Sequence, residues 1–394
     1  MSFSNKYSFH SFIFIGMELF VLVLLCLCLF MKKTDRQTDI FQTSSNFIKW
    51  VDFNVTSEAL DQAFRYDVDT CQAEIHLNWV DLLAYLGTRY GGDFSRYKKS
   101  DMEKVAEQLS NGNTTMEELT KDMKFYDYYR QAYGAVLDGM VGTFQAEIPA
   151  DEVPRVSQSS ETAADDVPSQ DNVSAPEQSV QNFNTSPEQT TQNPNVSEKT
   201  APDTVWVTKY GLKAFFPLAK NFPYSDFDDF GVSRSYGFKR RHLGHDMMGQ
   251  VGTPIIAVES GYVEALGWNQ YGGWRIGIRS FDKKRYYYYA HLRKNYPFQS
   301  DLKEGSLVQA GDVIGYMGRT GYSSKENTNN IEEPHLHFGL ELVFDESQKE
   351  SDHEIWINCY ELVKFLQKNQ CETVKVDGTK EWRRVYQTKD IPNT

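Results

Sequence analysis

Three short stretches in the second half of the chain concentrate its metal-ligating and proton-handling residues. They are His242-Leu-Gly-His-Asp246, Tyr289-Ala-His291-Leu292 and Pro334-His335-Leu-His337-Phe338. The chain has 8 histidines in 394 residues, and five lie in these stretches. Imidazole with carboxylate is the ligand set of a zinc site that keeps one coordination position open for chemistry. Further histidines beside such an ion are the usual proton carriers. On a strand, residues i and i+2 share a face, so His335 and His337 emerge together while Leu336 takes the other side. Tyr287, Tyr289 and His291 alternate likewise, with His291 at the end of its strand. His242 and Asp246 are four apart, and Gly244 between them favours a tight loop that brings both onto one ion. Singly, an H-x-H pair or an H-x-x-x-D spacing is often mere surface or packing. Together, in order, within one β-rich segment, they point to one metal centre.

The elements that position these residues are short and β-rich. Residues 254–258, 262–266, 274–278, 285–289 and 313–316 read as strands. Ser260-Gly261, Gly272-Gly273, Asp282-Lys283 and Gly311-Asp312 are the turns between them. This implies an antiparallel all-β domain over 205–372, closed by a helix from Ile355 to Leu366. A polar tail, 373–394, follows.

Upstream, 46–146 reads as a small all-α accessory domain. Ser100-Asp-Met-Glu103 and Thr115-Met-Glu-Glu118 are capping boxes. Trp79, Leu82, Leu83 and Leu86 form an apolar helical stripe that Gly91-Gly92 ends. His76 reads as a partly buried structural histidine, and Glu74, Asp81 and Asp93 as solvated carboxylates rather than a glycosidase pair.

Between Glu147 and Asp203 there are 11 Asp/Glu against 2 Lys/Arg, which is −9 of the net −13. With so little to bury, 147–204 reads as a disordered acidic linker that lets the C-terminal domain sweep some distance. The acidic balance argues against nucleic acid as a partner. No cysteine has C-x-x-C spacing; Cys359 and Cys371 are a candidate pair in an oxidising compartment. Residues 12–31 are apolar with Glu18 as the one charge, close to the length of a membrane-crossing helix. A transmembrane anchor and a secretory signal compete for this segment. Its length and the lack of an A-x-A site favour the anchor. Lys32, Lys33 and Arg36 behind it would hold that side in the cytoplasm, whereas the chemistry of the domain places it outside the membrane.

From about Lys209 to Leu342 the chain resembles the M23 peptidases, the lysostaphin- and LytM-type zinc endopeptidases of bacterial cell walls. The resemblance rests on the three histidine stretches together with Gly252-Thr-Pro-Ile-Ile-Ala-Val-Glu-Ser-Gly-Tyr-Val263, Tyr271-Gly-Gly-Trp274 and Val308-Gln-Ala-Gly-Asp-Val-Ile-Gly315, all collinear. It implies a small antiparallel β fold with a groove over one Zn2+. It also implies His242, Asp246 and His337 as metal ligands and His291 and His335 as the proton-handling pair. His245 competes with His242 as a ligand, and the family spacing selects His242. The loop between Gly321 and Pro334 is longer than the family's usual connection and is expected to edge the groove.

The function implied is a metalloendopeptidase acting on peptide bonds of peptidoglycan at the outer face of the membrane, with the helical domain a candidate site for a protein partner. The alternative is a catalytically silent relative acting there as a scaffold. The retained histidine and aspartate set argues for activity.

Overall fold

In the computed structural model, residues 53–152, 203–235, 239–349, 351 and 353–390 are described. The strand His335–Leu342 is the axis of the β part. It lies between Arg285–Ala290 and His245–Met248 in an eight-stranded antiparallel sheet. Beyond Arg285–Ala290 come Gly273–Ser280, Gly261–Asn269 and Leu307–Val308; beyond His245–Met248 comes Ser225–Asp226. Alternation divides the two faces. Leu336, Phe338, Leu340 and Leu342 are fully buried on the inner face, where Tyr287 and Tyr289 stand opposite Leu340 and Phe338. Each such side chain contributes about 1.5–3 kcal/mol by leaving water. The same alternation puts His335, His337, Gly339 and Glu341 on the outer face. The tyrosine run splits accordingly. Tyr287 and Tyr289 are core, while Tyr286 and Tyr288 line a cavity on the outer face.

The helices are Ser57–Asp69, Trp79–Tyr90, Lys99–Ser110, Met116–Thr120 and Tyr126–Leu137. Thr115 and Glu118 form the expected capping box, and Gly91 takes the left-handed conformation (φ 65°) that closes its helix. The Ser100 box does not form. That helix starts at Lys99, so Ser100 lies inside its first turn and no side chain caps it. His76 bonds Asp67, which is buried and also accepts from Tyr210. Asp81 is paired with Arg130, and Asp93 caps a short turn at Ser95.

Two expectations about the organisation are corrected and two open points are resolved. The all-α reading of 46–146 fails after Leu137, because Val141–Pro149 is a strand. That strand pairs over its whole length with Thr204–Leu212, from Val141↔Leu212 to Pro149↔Thr204. The two ends of the acidic segment are thus fixed side by side at the open end of a hairpin. The segment is an insertion in a hairpin, not a tether that separates two domains. Second, the helix expected over Ile355–Leu366 covers only Tyr360–Leu366, since Ile355–Trp356 is taken up as a strand beside Glu341–Leu342. Third, the tail is structured as far as Asp390. Thr373–Lys375 pairs Trp382–Arg384, and Thr388–Lys389 joins the hairpin beside Gln145 and Ala146. Fourth, Cys359 and Cys371 are both free and buried, Cys359 near the Phe338 carbonyl and Cys371 near that of Gly311.

The helical and β parts share one hydrophobic core. Phe365 meets Phe64 and Trp79 at ring-centroid distances of 5.7 and 5.9 Å. The Ser57 amide donates to Glu361 at 2.7 Å, and Arg285 donates to the Ala135 carbonyl at 3.1 Å. Arg285 is itself buried and forked onto Glu259, which also accepts from Tyr287. Among the described residues no helix is long and apolar enough to cross a membrane; the segment 12–31 lies outside them.

Candidate metal centre

His337 and Asp246 face each other directly across neighbouring strands. Opposed residues share a face with Cβ atoms about 5 Å apart, so the sheet register alone brings these two together. His337 Nδ1 lies 2.9 Å from Asp246 Oδ1. His242 arrives from the loop before the strand. Its Nε2 lies 3.0 Å from the same Oδ1 and 2.9 Å from His337 Nδ1. Gly244 makes this approach possible for a reason other than a special backbone angle: a Cβ there would stand 2.5 Å from His337 Cε1 and 2.8 Å from the Phe338 carbonyl oxygen.

His245 is excluded by the period of the strand. One residue before Asp246, it points to the opposite face, where it is buried and bonded to Asp226 at 2.8 Å.

The donor atoms of His242, Asp246 and His337 form a set suited to a cation. His242 Nδ1 lies 3.1 Å from both the carbonyl and a carboxylate oxygen of Asp229, two acceptors. Nδ1 therefore carries the proton, and Nε2 offers its lone pair to the centre. Protons cannot satisfy all three contacts among Nε2, Nδ1 and Oδ1, because each nitrogen carries at most one. A positive ion can. In the chain without an ion, burial would lower the His242 imidazole, but its bonds to Asp229 and Asp246 outweigh this and push it up to about 9. Burial would raise Asp246, and His242 and His337 instead hold it well below the usual carboxylate range. Imidazole, imidazole and carboxylate, three ligands with room for a fourth, is a zinc ligand set.

His291 and His335 stand beside this set. Their rings are 4.8 Å apart, and His291 is 5.8 Å from His337. Each is held the same way. His291 Nδ1 donates to the Thr320 carbonyl and His335 Nδ1 to that of Glu333, both at 2.9 Å. The Nε2 of each is left as a lone-pair nitrogen. Burial, then the neighbouring His335 and His337, keep the His291 imidazole well below its ordinary value, so it is neutral. His291 also has φ 63°, in the left-handed region that few non-glycine residues adopt.

The loop before Pro334 does edge this site. The Tyr322 ring lies 5.7 Å from that of His291, and Asn327 holds the Trp274 indole at 2.9 Å. A cavity of about 570 Å3 opens from His337 along the outer sheet face, past Tyr271, Tyr288 and Tyr286 to Glu341. Asp229 and the carbonyls of Thr320 and Glu333 went unseen at the sequence level. Backbone acceptors leave no trace in residue identity, and Asp229 lies 13 residues from its partner.

Comparison with known proteins bears on the same segment. The profile described as Peptidase family M23 matches residues 240–350. Over 125 residues the chain is 39% identical to the L-Ala--D-Glu endopeptidase of Bacillus subtilis, covering 32% of this chain and 37% of that one. Over 98 residues it is 39% identical to lysostaphin of Staphylococcus staphylolyticus, covering 25% and 18%. The match thus spans little more than a third of the first relative and under a fifth of the second. Among solved structures, a putative glycyl-glycine endopeptidase lytM from Ruminococcus gnavus is 20% identical, covers 84% of this chain and 95% of its own, and gives a TM-score of 0.47. The segment that carries the histidine and aspartate set, residues 240–350, is a domain of peptidase family M23.

Proposed function

We propose that the chain is a zinc-dependent endopeptidase that hydrolyses peptide bonds in bacterial peptidoglycan. The observation that carries this is the convergence of His242, Asp246 and His337 beside two histidines whose Nδ1 atoms are both tied to carbonyls. His242, Asp246 and His337 would hold the ion. When bound, zinc supplies an acidified water and polarises a carbonyl. His291 and His335 present lone-pair Nε2 atoms that take a proton from the attacking water and return it to the leaving amine. In its protonated form either one also stabilises negative charge that develops on the substrate oxygen. The Thr320 and Glu333 carbonyls fix the ring orientations, so little reorganisation is needed during the reaction.

The substrate assignment is supported by what the similar proteins are named for, an L-Ala--D-Glu bond in the first case. The cavity follows the outer face from His337 to Glu341, about 13 Å along one strand. We place the domain outside the cytoplasmic membrane, attached through 12–31, on the apolar composition of that segment and the location of such a substrate. A silent scaffold is not favoured, because nothing in the site is missing. The test is digestion of purified peptidoglycan by the zinc-loaded chain, with products identified by mass spectrometry. Cleaved stem or bridge peptides are expected; intact material from a correctly folded, zinc-loaded chain would overturn the proposal.

A further inference from the structure

We propose that the cavity beside His337 recognises a free carboxylate on the peptide, close to the bond that is cut, through the guanidinium groups of Arg240 and Arg275. This rests on the reading of the centre as a peptidase site and narrows its substrate class to acidic peptides.

The cavity wall is cationic although the chain as a whole carries −13. Arg240, Arg241, Arg275, Arg279 and Lys349 line it, against Glu264, Glu341 and Glu354. The charges are not evenly matched. Glu264 is taken by Arg279 at 2.7 Å and by Lys349 at 2.8 Å. Glu354 accepts from the Trp356 indole at 2.8 Å. Glu341, at the far end of the cavity, is pushed up to about 7 by burial and by Glu354, so it carries its full negative charge only above neutral pH. Among the described residues, Arg240, Arg241 and Arg275 have no carboxylate partner.

Two of these groups are desolvated as well as unpaired. The Nε atoms of Arg240 and Arg275 are buried with no hydrogen-bond partner. An unmet buried guanidinium donor is costly, and an anion in the cavity that both groups line offsets part of that cost. Arg240 is held over the Tyr322 ring at 4.9 Å. Arg275 extends from the sheet beside Tyr286 and Tyr288, whose hydroxyls feel its charge. Both arginines thus flank the part of the cavity that begins at His337. A planar carboxylate matches the guanidinium fork, and an amide of equal size does not.

The test uses two peptides, L-Ala-γ-D-Glu-L-Lys-D-Ala with the glutamate α-carboxyl free, and the same peptide with that group as the carboxamide. Binding to the full chain with its metal chelated is measured by calorimetry, and cleavage by the zinc-loaded chain is followed by mass spectrometry. The free carboxylate is expected to bind roughly tenfold tighter or more, the size of one charge-assisted bond, with a preference that shrinks as salt rises. Arg275→Gln and Arg240→Gln should each cut the preference to about threefold or less, whereas Arg275→Lys retains part of it. Equal affinity for the two peptides overturns the inference, as does a preference that survives in both glutamine variants. Selective binding with no cleavage would remove the peptidase reading and support the carboxylate site. Cleavage of both peptides without preference would do the reverse.

Discussion

Gly244 lies against His337: a methyl group on its α-carbon would come within 2.5 Å of the imidazole and 2.8 Å of the Phe338 carbonyl oxygen. The glycine is therefore part of the metal centre without offering it a ligand. Gly244→Ala is expected to push the His337 ring out of register with Asp246. It should weaken zinc binding by at least tenfold, with a smaller change in melting temperature because the clash is local. Competition titration with a chelating dye checks this; unchanged affinity would show that the loop yields freely.

Asp229 acts one step further out. Its carbonyl and carboxylate hold His242 Nδ1 and so set which nitrogen faces the centre. Partners of this kind are typically worth 10–100-fold in metal affinity. Asp229→Ala is expected to fall in that range with the fold retained, again by competition titration. A variant that binds zinc as tightly as the parent would mean that the His242 ring is oriented by other contacts.

Arg285, Glu259 and Tyr287 form a buried polar knot that ends on the Ala135 carbonyl of the helical part. Removing one member of a buried ion pair strands the other and costs about 3–5 kcal/mol. Glu259→Ala should lose that much in urea unfolding. Since the two parts share one core, helix and sheet signals should be lost in a single transition in both proteins. Two separate transitions in the parent chain would contradict this.

Glu341 gives a pH dependence. Burial and Glu354 push its carboxyl up to about 7, above its value in the unfolded chain. The folded state then binds the extra proton between roughly pH 4.5 and 7, so this group makes stability fall as pH rises through that window. The effect is on the order of 2 kcal/mol. Glu341→Gln should gain on the parent protein by about that amount between pH 5 and pH 8 in urea unfolding. A constant difference across the range would rule the shift out.

The site was more legible in the sequence than the architecture around it. His335, His337 and Asp246 could be read as neighbours on one face because strand alternation and family spacing are local. The same alternation disposes of His245 once its strand is known. The hairpin that joins Val141–Pro149 to Thr204–Leu212 was invisible, since its two halves are separated by an acidic stretch whose composition gives no hint that its ends meet. The contact of Arg285 with Ala135 and the strands after Thr373 are equally non-local. They follow from which surfaces are left to cover once the sheet has formed, and pattern along the chain does not record that. Nothing in the sequence marks Arg240 and Arg275; the cavity is what places them beside His337.

The central claim is that His242, Asp246 and His337 hold one zinc ion that peptide hydrolysis requires. The most direct measurement is zinc content by plasma mass spectrometry, paired with release of cell-wall peptides, for the parent chain, Asp246→Ala and His335→Ala. One zinc per chain and cleavage are expected for the parent, neither for Asp246→Ala, and retained zinc with cleavage reduced by roughly 10²-fold or more for His335→Ala. Full zinc occupancy and undiminished cleavage in Asp246→Ala would contradict that claim.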